Sequence, residues 1–358
     1  MQLWINTPNL KILENIESIL FSDDRKVAKR FMENLPWEVY ENLSPQYEIQ
    51  VMSAMQIRKN LWGNIFKNIK GFYFWTEQCE FLLPTLDEIK KAIELIKKFD
   101  KKYVTKEIKK FVFVTPYYWN HTIRERLIEN LQYINENAKY INPKLWYVEV
   151  VVNDFWTIKL IENFENLKPI LWRLLVKTLK NPIVDTLGIE KNVHIPGKLM
   201  KNKTAEEIQN LKKQLAENQK KGFSRTSLTN KYFINWAKKN NIARFWIDFQ
   251  NIIDFSHITD FFEKENLNLD IWYPYALVFV WRLCDTSAIE NIKRWYFPTD
   301  EVCPRTCLKY DLFIKNFETV GYKIIQRWNA QYKTQLNLDL PKQTLEKYNF
   351  RLIYQPLI

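Results

Sequence analysis

The feature that most constrains this chain is a repeated exchange between short, continuously apolar runs and amphipathic helical stretches. The runs "GFYFWTE" (71–77), "KKFVFVTPYY" (109–118), "WYVEVVVND" (146–154), "KPILWRLL" (168–175), "ARFWIDFQN" (243–251) and "YALVFVWRLC" (275–284) join "LWIN" near the start as strand candidates. Several are unbroken stretches of β-branched and aromatic residues. That pattern suits parallel strands covered on both faces better than a sheet wetted on one side. Between them, "TLDEIKKAIELIKKF" opens with Thr85 and Glu88 in capping-box spacing and carries Ile89, Ile93, Ile96 and Phe99 on one face. The segments "TIRERLIENLQYI" and "TIKLIENFENL" read the same way.

Strand-helix alternation sustained over 358 residues predicts an α/β fold, with a (β/α)8 TIM-like barrel covering 1–358 as one domain. A doubly wound open sheet is the alternative. No G-x-G-x-x-G or Walker-type loop follows any run, which counts against a nucleotide-binding switch point. One stretch reads as a polar helical insertion: residues 198–222, "KLMKNKTAEEIQNLKKQLAENQKKG". It starts a helix at the Thr204–Glu207 capping box, stops at Gly222, and has only a narrow stripe of Ile208, Leu211 and Leu215. A solvated excursion lying on the barrel is the plainer reading; a lid or dimer contact is the other.

The first residues contain no basic-then-apolar leader, and no run of eighteen apolar residues occurs, so a cytoplasmic protein without a membrane span is expected. A net charge of +12 favours an anionic partner and keeps RNA open as one. Lys, Asn and Ile are all abundant, however, as an A+T-rich coding sequence would produce, and no arginine-rich block appears. A solvated lysine surface therefore explains the charge as well as a nucleic-acid groove does.

Four cysteines in a reducing compartment do not suggest a disulfide framework. Cys79 lies just past one apolar run, Cys284 ends another, and Cys303 and Cys307 share "CPRTC". In a barrel all strand C-termini meet at one face, so thiols far apart in sequence can converge there. Four thiolates complete the coordination of zinc or of an iron-sulfur cluster. Zinc sites usually bring two tight C-x-x-C knuckles, whereas one loose pair and two isolated cysteines stand here, which tilts the expectation towards a cluster. Four inert core thiols remain the competing explanation.

Glu77, Asn153, Asp154, Arg173, Asp248 and Arg282 all fall near strand ends, as site residues or as helix caps and loop ion pairs. His121, His194 and His257 form no motif, and neither G-x-S-x-G nor H-E-x-x-H occurs.

Taken together, "TEQCEFLLP", "FVTPYY", "EVVVNDFWTIKLI", "RLLVKTLKNP", "RLCDT" and "CPRTC" resemble the collagenase-like peptidases, from about Gly71 onwards. The resemblance implies a (β/α)8 barrel and a 4Fe-4S cluster held by Cys79, Cys284, Cys303 and Cys307. It also implies oxygen-independent hydroxylation of quinone precursors or tRNA, or else peptidase activity. Glu77, Asn153, Asp154 and Arg282 would then position substrate or carry protons beside the cluster, with a redox partner or homologous subunit as companion. The cysteine arrangement departs from that of the quinone-pathway members, so their substrate does not carry over.

The same comparison exposes a one-directional departure. Glycine is expected where Trp75, Trp156, Trp172, Trp281 and Trp328 stand. The chain has 6 glycines beside 14 tryptophans, against roughly twenty-five glycines for average usage. Replacing glycine by the largest side chain overpacks a site by roughly 1 to 3 kcal/mol. A gene in which UGA means glycine, translated with UGA as tryptophan, accounts for both the deficit and the excess; an aromatic-rich core is the alternative.

Overall fold

The computed structural model describes residues 2–17, 52–57, 68–103, 109–117, 123–176, 195–224, 226–250, 253, 255–280, 284–289, 303, 305–308, 312–313, 324–327, 330–334, 338 and 350–356. Eight parallel strands close into a barrel in the order β1-β12-β7-β6-β5-β4-β3-β2. These are β1 (Gln2–Thr7), β2 (Ile69–Phe74), β3 (Lys110–Val114), β4 (Val148–Val152), β5 (Leu167–Leu171), β6 (Arg244–Asp248), β7 (Asn268–Tyr273) and β12 (Arg351–Tyr354). The chain is thus an α/β barrel of the (β/α)8 type.

Six of the seven apolar runs supply barrel strands. The seventh, read as another parallel strand, instead forms β8 (Tyr275–Val280) of a separate four-stranded antiparallel sheet ordered β8-β11-β10-β9. Its partners are β9 (Leu312–Phe313), β10 (Ile324–Arg327) and β11 (Ala330–Thr334). Strand β8 follows β7 with one residue between, too short a link for a parallel crossover. The barrel is closed instead by β7 and β12, whose registers pair Asp270 with Arg351.

The helices form for local reasons visible in their caps. Thr85 and Glu88 close a reciprocal box, with the Thr85 N–H donating to Glu88 at 2.8 Å and the Glu88 N–H to Thr85 at 3.2 Å. The helix Leu86–Tyr103 that follows buries Ile89, Ala92, Ile93, Ile96 and Phe99 against the barrel. The helix Ala205–Phe223 runs through the inserted segment and opens on the Thr204–Glu207 box. Ile208, Leu211 and Leu215 on that helix pack on Ile195 and Ala216 as a small cluster apart from the main core. No described helix is long and apolar enough to cross a membrane.

Inside the barrel the packing is aromatic. Trp4, Trp75, Trp172, Trp246 and Trp272 are all fully buried. Tyr73 of β2 meets Trp246 of β6 at 5.4 Å between ring centres; these strands are not neighbours, so the contact crosses the lumen. Gly71 is required beneath this layer, because a Cβ there would overlap the Trp4 ring and stand 2.5 Å from the Lys110 carbonyl oxygen.

Candidate functional site at the carboxyl end of the barrel

The loops leaving the C-terminal ends of the strands bring three charged groups together. Arg173, two residues past β5, donates to the Glu77 carboxylate at 2.5 Å and pairs with Asp248, the last residue of β6. All three side chains are buried. Glu77 belongs to the loop after β2, and β3 and β4 lie between β2 and β5. The Arg173 bridge therefore spans three strand intervals. Burial weighs against the guanidinium's charge, but Asp248 and then Glu77 outweigh it and hold Arg173 above its ordinary pKa.

The same residues tie the accessory sheet to the barrel. Arg173 donates to the Tyr275 carbonyl at 3.2 Å, and the Leu277 N–H donates to Asp248 at 3.1 Å, both at the root of β8. Rings surround the guanidinium carbon: Trp272 at 4.7 Å, Trp172 at 5.2 Å and Tyr332 at 5.5 Å. With two carboxylates on one guanidinium, this cluster carries a net negative charge.

It is also incompletely satisfied. Glu77 Oε2, Gln78 Oε1, Asn153 Oδ1 and Arg173 Nε are buried without a hydrogen-bond partner. Asn153 does use its amide, which donates to the Thr115 carbonyl. Buried polar atoms normally find partners, and leaving one without costs about 1–3 kcal/mol. Their concentration at the end where barrels carry their chemistry marks this as the candidate site.

The other expected residues separate. Asp154 is the N-cap of the helix Phe155–Ile161, accepting from the Thr157 N–H at 2.7 Å and its hydroxyl at 2.9 Å, so its local role is to start that helix. Arg282, Trp281, Trp328, His121 and His194 lie outside the described residues. His257 sits on the exposed side of the helix Phe255–Lys264.

Three of the thiols lie near the fourth, Cys79. Burial pushes the Cys79 thiol well above its ordinary pKa, and negative charge on Cys307, Cys284 and Cys303, in that order, pushes it the same way. Cys307, Cys284 and Cys303 therefore each lie within electrostatic reach of Cys79, and none of the four forms a disulfide. The short helix Asp285–Ala288, capped by Cys284, packs on the turn Thr306–Leu308 that contains Cys307. Arg305, between the last two cysteines, reaches back to the segment after Cys79: its guanidinium lies 3.5 Å from the Leu83 carbonyl and 3.4 Å from Oε1 of Glu88, in the first turn of the helix Leu86–Tyr103.

Four thiols, three of them buried, suit a cationic metal or an iron-sulfur cluster, whose charge would offset that of the thiolates that burial alone disfavours. Among the described residues no three His, Cys, Asp or Glu side chains stand already closed into a metal-binding group. Ligation would thus require the thiols to draw inward from the positions they hold here.

Sequence reasoning missed a second charged cluster at the opposite end. Arg244 bonds Glu149 at 3.1 Å and Asp270 at 2.8 Å, and Arg351 bonds the other Glu149 oxygen at 2.6 Å. The Tyr73 hydroxyl donates to Asp270 and accepts from Arg351 at 3.0 Å. The signal was present, since charged residues interrupt the apolar strands as "YVEVVV", "LDIW" and "FRLIY".

The fold and this end-of-barrel constellation define the chain as a (β/α)8-type barrel with a thiol-rich C-terminal face. No protein-family model matches the chain, and searches of curated proteins and of solved structures return no match.

Proposed function

We propose that the protein is an iron-sulfur protein built on this barrel, with Cys79, Cys284, Cys303 and Cys307 holding a 4Fe-4S cluster, and that it serves as a redox or hydroxylation enzyme or as a subunit of one. The observation that carries this reading is that Cys284, Cys303 and Cys307, from two other chain segments, each lie within electrostatic reach of Cys79, with the Cys284-capped helix packed on the turn that holds Cys307. The collagenase-like peptidases that the sequence resembles point to the same chemistry. A cluster supplies one-electron transfer when bound. The residues of the chain contribute a buried, negatively charged floor: Glu77 and Asp248 fixed by Arg173, with acceptors of Glu77 and Asn153 that have no partner within the chain. Anaerobic purification with an iron assay and absorbance near 400 nm tests the proposal. About four irons per chain are expected, and an iron-free, colourless protein with intact thiols, or one binding a single zinc instead, would reject it.

We propose further that the natural chain carries glycine where UGA was read as tryptophan. The count of 6 glycines beside 14 tryptophans supports this; Trp75 and Trp172 are both buried, and the Nε1–H of each has no partner. By contrast Trp4 donates to Gln2 at 3.4 Å and lies under the Arg351 guanidinium at 4.0 Å. Trp246 and Trp272 share the partnerless state of Trp75 and Trp172. Trp156 differs, being half-buried beside the Arg124 guanidinium at 5.5 Å. The codons decide: UGG at Trp75, Trp156, Trp172, Trp281 and Trp328 would remove the proposal.

A further inference from the structure

Among the described residues, two arginines bond across the cysteine-bearing segments. We propose that Arg305 and Arg173 are positioning residues that set the spacing of the four thiols; this rests on the reading of those thiols as one ligand set. Arg305 works on the Cys79–Cys307 side. Its guanidinium is shared between Glu88 at 3.4 Å and the Leu83 carbonyl at 3.5 Å, both within nine residues of Cys79, while Cys307 is two residues from Arg305 itself. The backbone of Arg305 stands at φ 55, a left-handed conformation that a non-glycine residue adopts only where its surroundings hold it.

Arg173 works on the Cys79–Cys284 side. One arm binds Glu77, two residues before Cys79; the other binds Asp248 and the Tyr275 carbonyl, at the start of the strand that leads to Cys284. The two loops thus meet on one planar, five-donor group, a geometry that lysine's point charge does not reproduce. Together the arginines connect all three cysteine-bearing segments without either touching a sulfur.

The test uses the full-length, reduced and metal-free protein with dibromobimane, which becomes fluorescent on bridging two nearby thiols, followed by peptide mapping. The unaltered protein is expected to give bridges joining Cys79 to Cys307 and to Cys284. Arg305→Gln should lower the Cys79–Cys307 bridge by about fivefold, the scale of a partly exposed ion pair, and leave the circular dichroism unchanged. Arg173→Gln should lower the Cys79–Cys284 bridge, and Arg173→Lys should fail to restore it. Should Arg173→Gln not fold, Glu77→Gln makes the same test, since it weakens only the arm towards Cys79. Undiminished bridging in folded Arg305→Gln, or no Cys79 bridge in the unaltered protein, would overturn the proposal. Iron content is measured separately, so a chain that bridges normally but takes up no iron defeats the cluster reading and not this one.

A different observation carries a second inference. Trp146, just before β4, has φ 61 and its side chain is 60% exposed. Of the described non-glycine residues in this left-handed conformation, three are asparagines, which tolerate it, and Trp146 is the only aromatic one. The conformation is fixed locally, because its N–H donates to the Asn142 carbonyl at 3.0 Å to close the turn into the strand. An exposed indole over Lys139 gains too little there to explain the strain. We infer that Trp146 is another glycine of the natural chain, an inference that rests on the UGA reading. Tandem mass spectrometry of the protein isolated from its own source should find glycine at this position. Tryptophan here with glycine at 75 and 172 would overturn this inference alone, and tryptophan at all three would remove the UGA reading with it.

Discussion

The two ends of the barrel interior each bury a cluster of opposite charges, yet they are finished differently. At the amino end Arg244 and Arg351 face Glu149 and Asp270, charge for charge, and every carboxylate oxygen has a partner. At the carboxyl end one arginine faces two carboxylates, and Glu77 Oε2 and Asn153 Oδ1 have none. A closed network that balances its charge has nothing left to offer a ligand. An unbalanced one, beside four thiols, retains both charge and hydrogen-bonding capacity. The contrast teaches that buried charge alone does not mark a site; the unfilled valence does.

The sharpest way to break this comparison is Asp270→Asn, which leaves two buried arginines facing the single carboxylate of Glu149. A loss of about 3–5 kcal/mol is expected from urea unfolding, with iron uptake per folded molecule unchanged. Asp248→Asn should cost less, about 1–3 kcal/mol, because Arg173 keeps Glu77 and the excess negative charge disappears. It should nonetheless reduce iron uptake. Equal losses of stability in the two variants would erase the distinction.

Acid sharpens the same contrast. Arg351 and Arg244 outweigh the burial of Glu149 and hold its carboxyl below its ordinary 4.5. A carboxyl lowered in the folded state stabilises at pH above the unfolded value, and that contribution disappears as the pH falls through the folded value. Glu149→Gln should therefore reduce the stability lost as the pH falls below 4.5.

The smallest effect belongs to the sheet over the upper cluster. Burial lowers Lys333 on β11 to about 8, so the unfolded chain binds more protons between about 8 and 10.5 and stability should rise with pH across that window. Lys333→Met should flatten that rise.

Much of the barrel was legible because its strands are apolar on both faces and its helices announce their starts, as at Thr85 and Glu88. Strands β7 and β12 were not, since Asp270 and Arg351 make them read as polar segments until each is seen to neutralise the other. The run at 275–284 misled in the opposite sense: an apolar strand looks the same whether its neighbours are parallel or antiparallel. At the site, the end-of-strand positions of Glu77, Asn153, Arg173 and Asp248 could be read from their places after apolar runs. That Arg173 joins Glu77 to Asp248 could not, because periodicity carries no information on which loops meet across a barrel mouth.

What the sequence determined by itself is local: an apolar period sets strand or helix, a capping box sets where a helix begins, and an excess of tryptophan over glycine raises the question of the code. The tertiary structure decided the rest. Closure of the barrel chose which distant charges share a low-dielectric interior, and so which balance and which are left wanting. It likewise brought Cys284, Cys303 and Cys307 within electrostatic reach of Cys79, which depends on distance in space and not on separation along the chain.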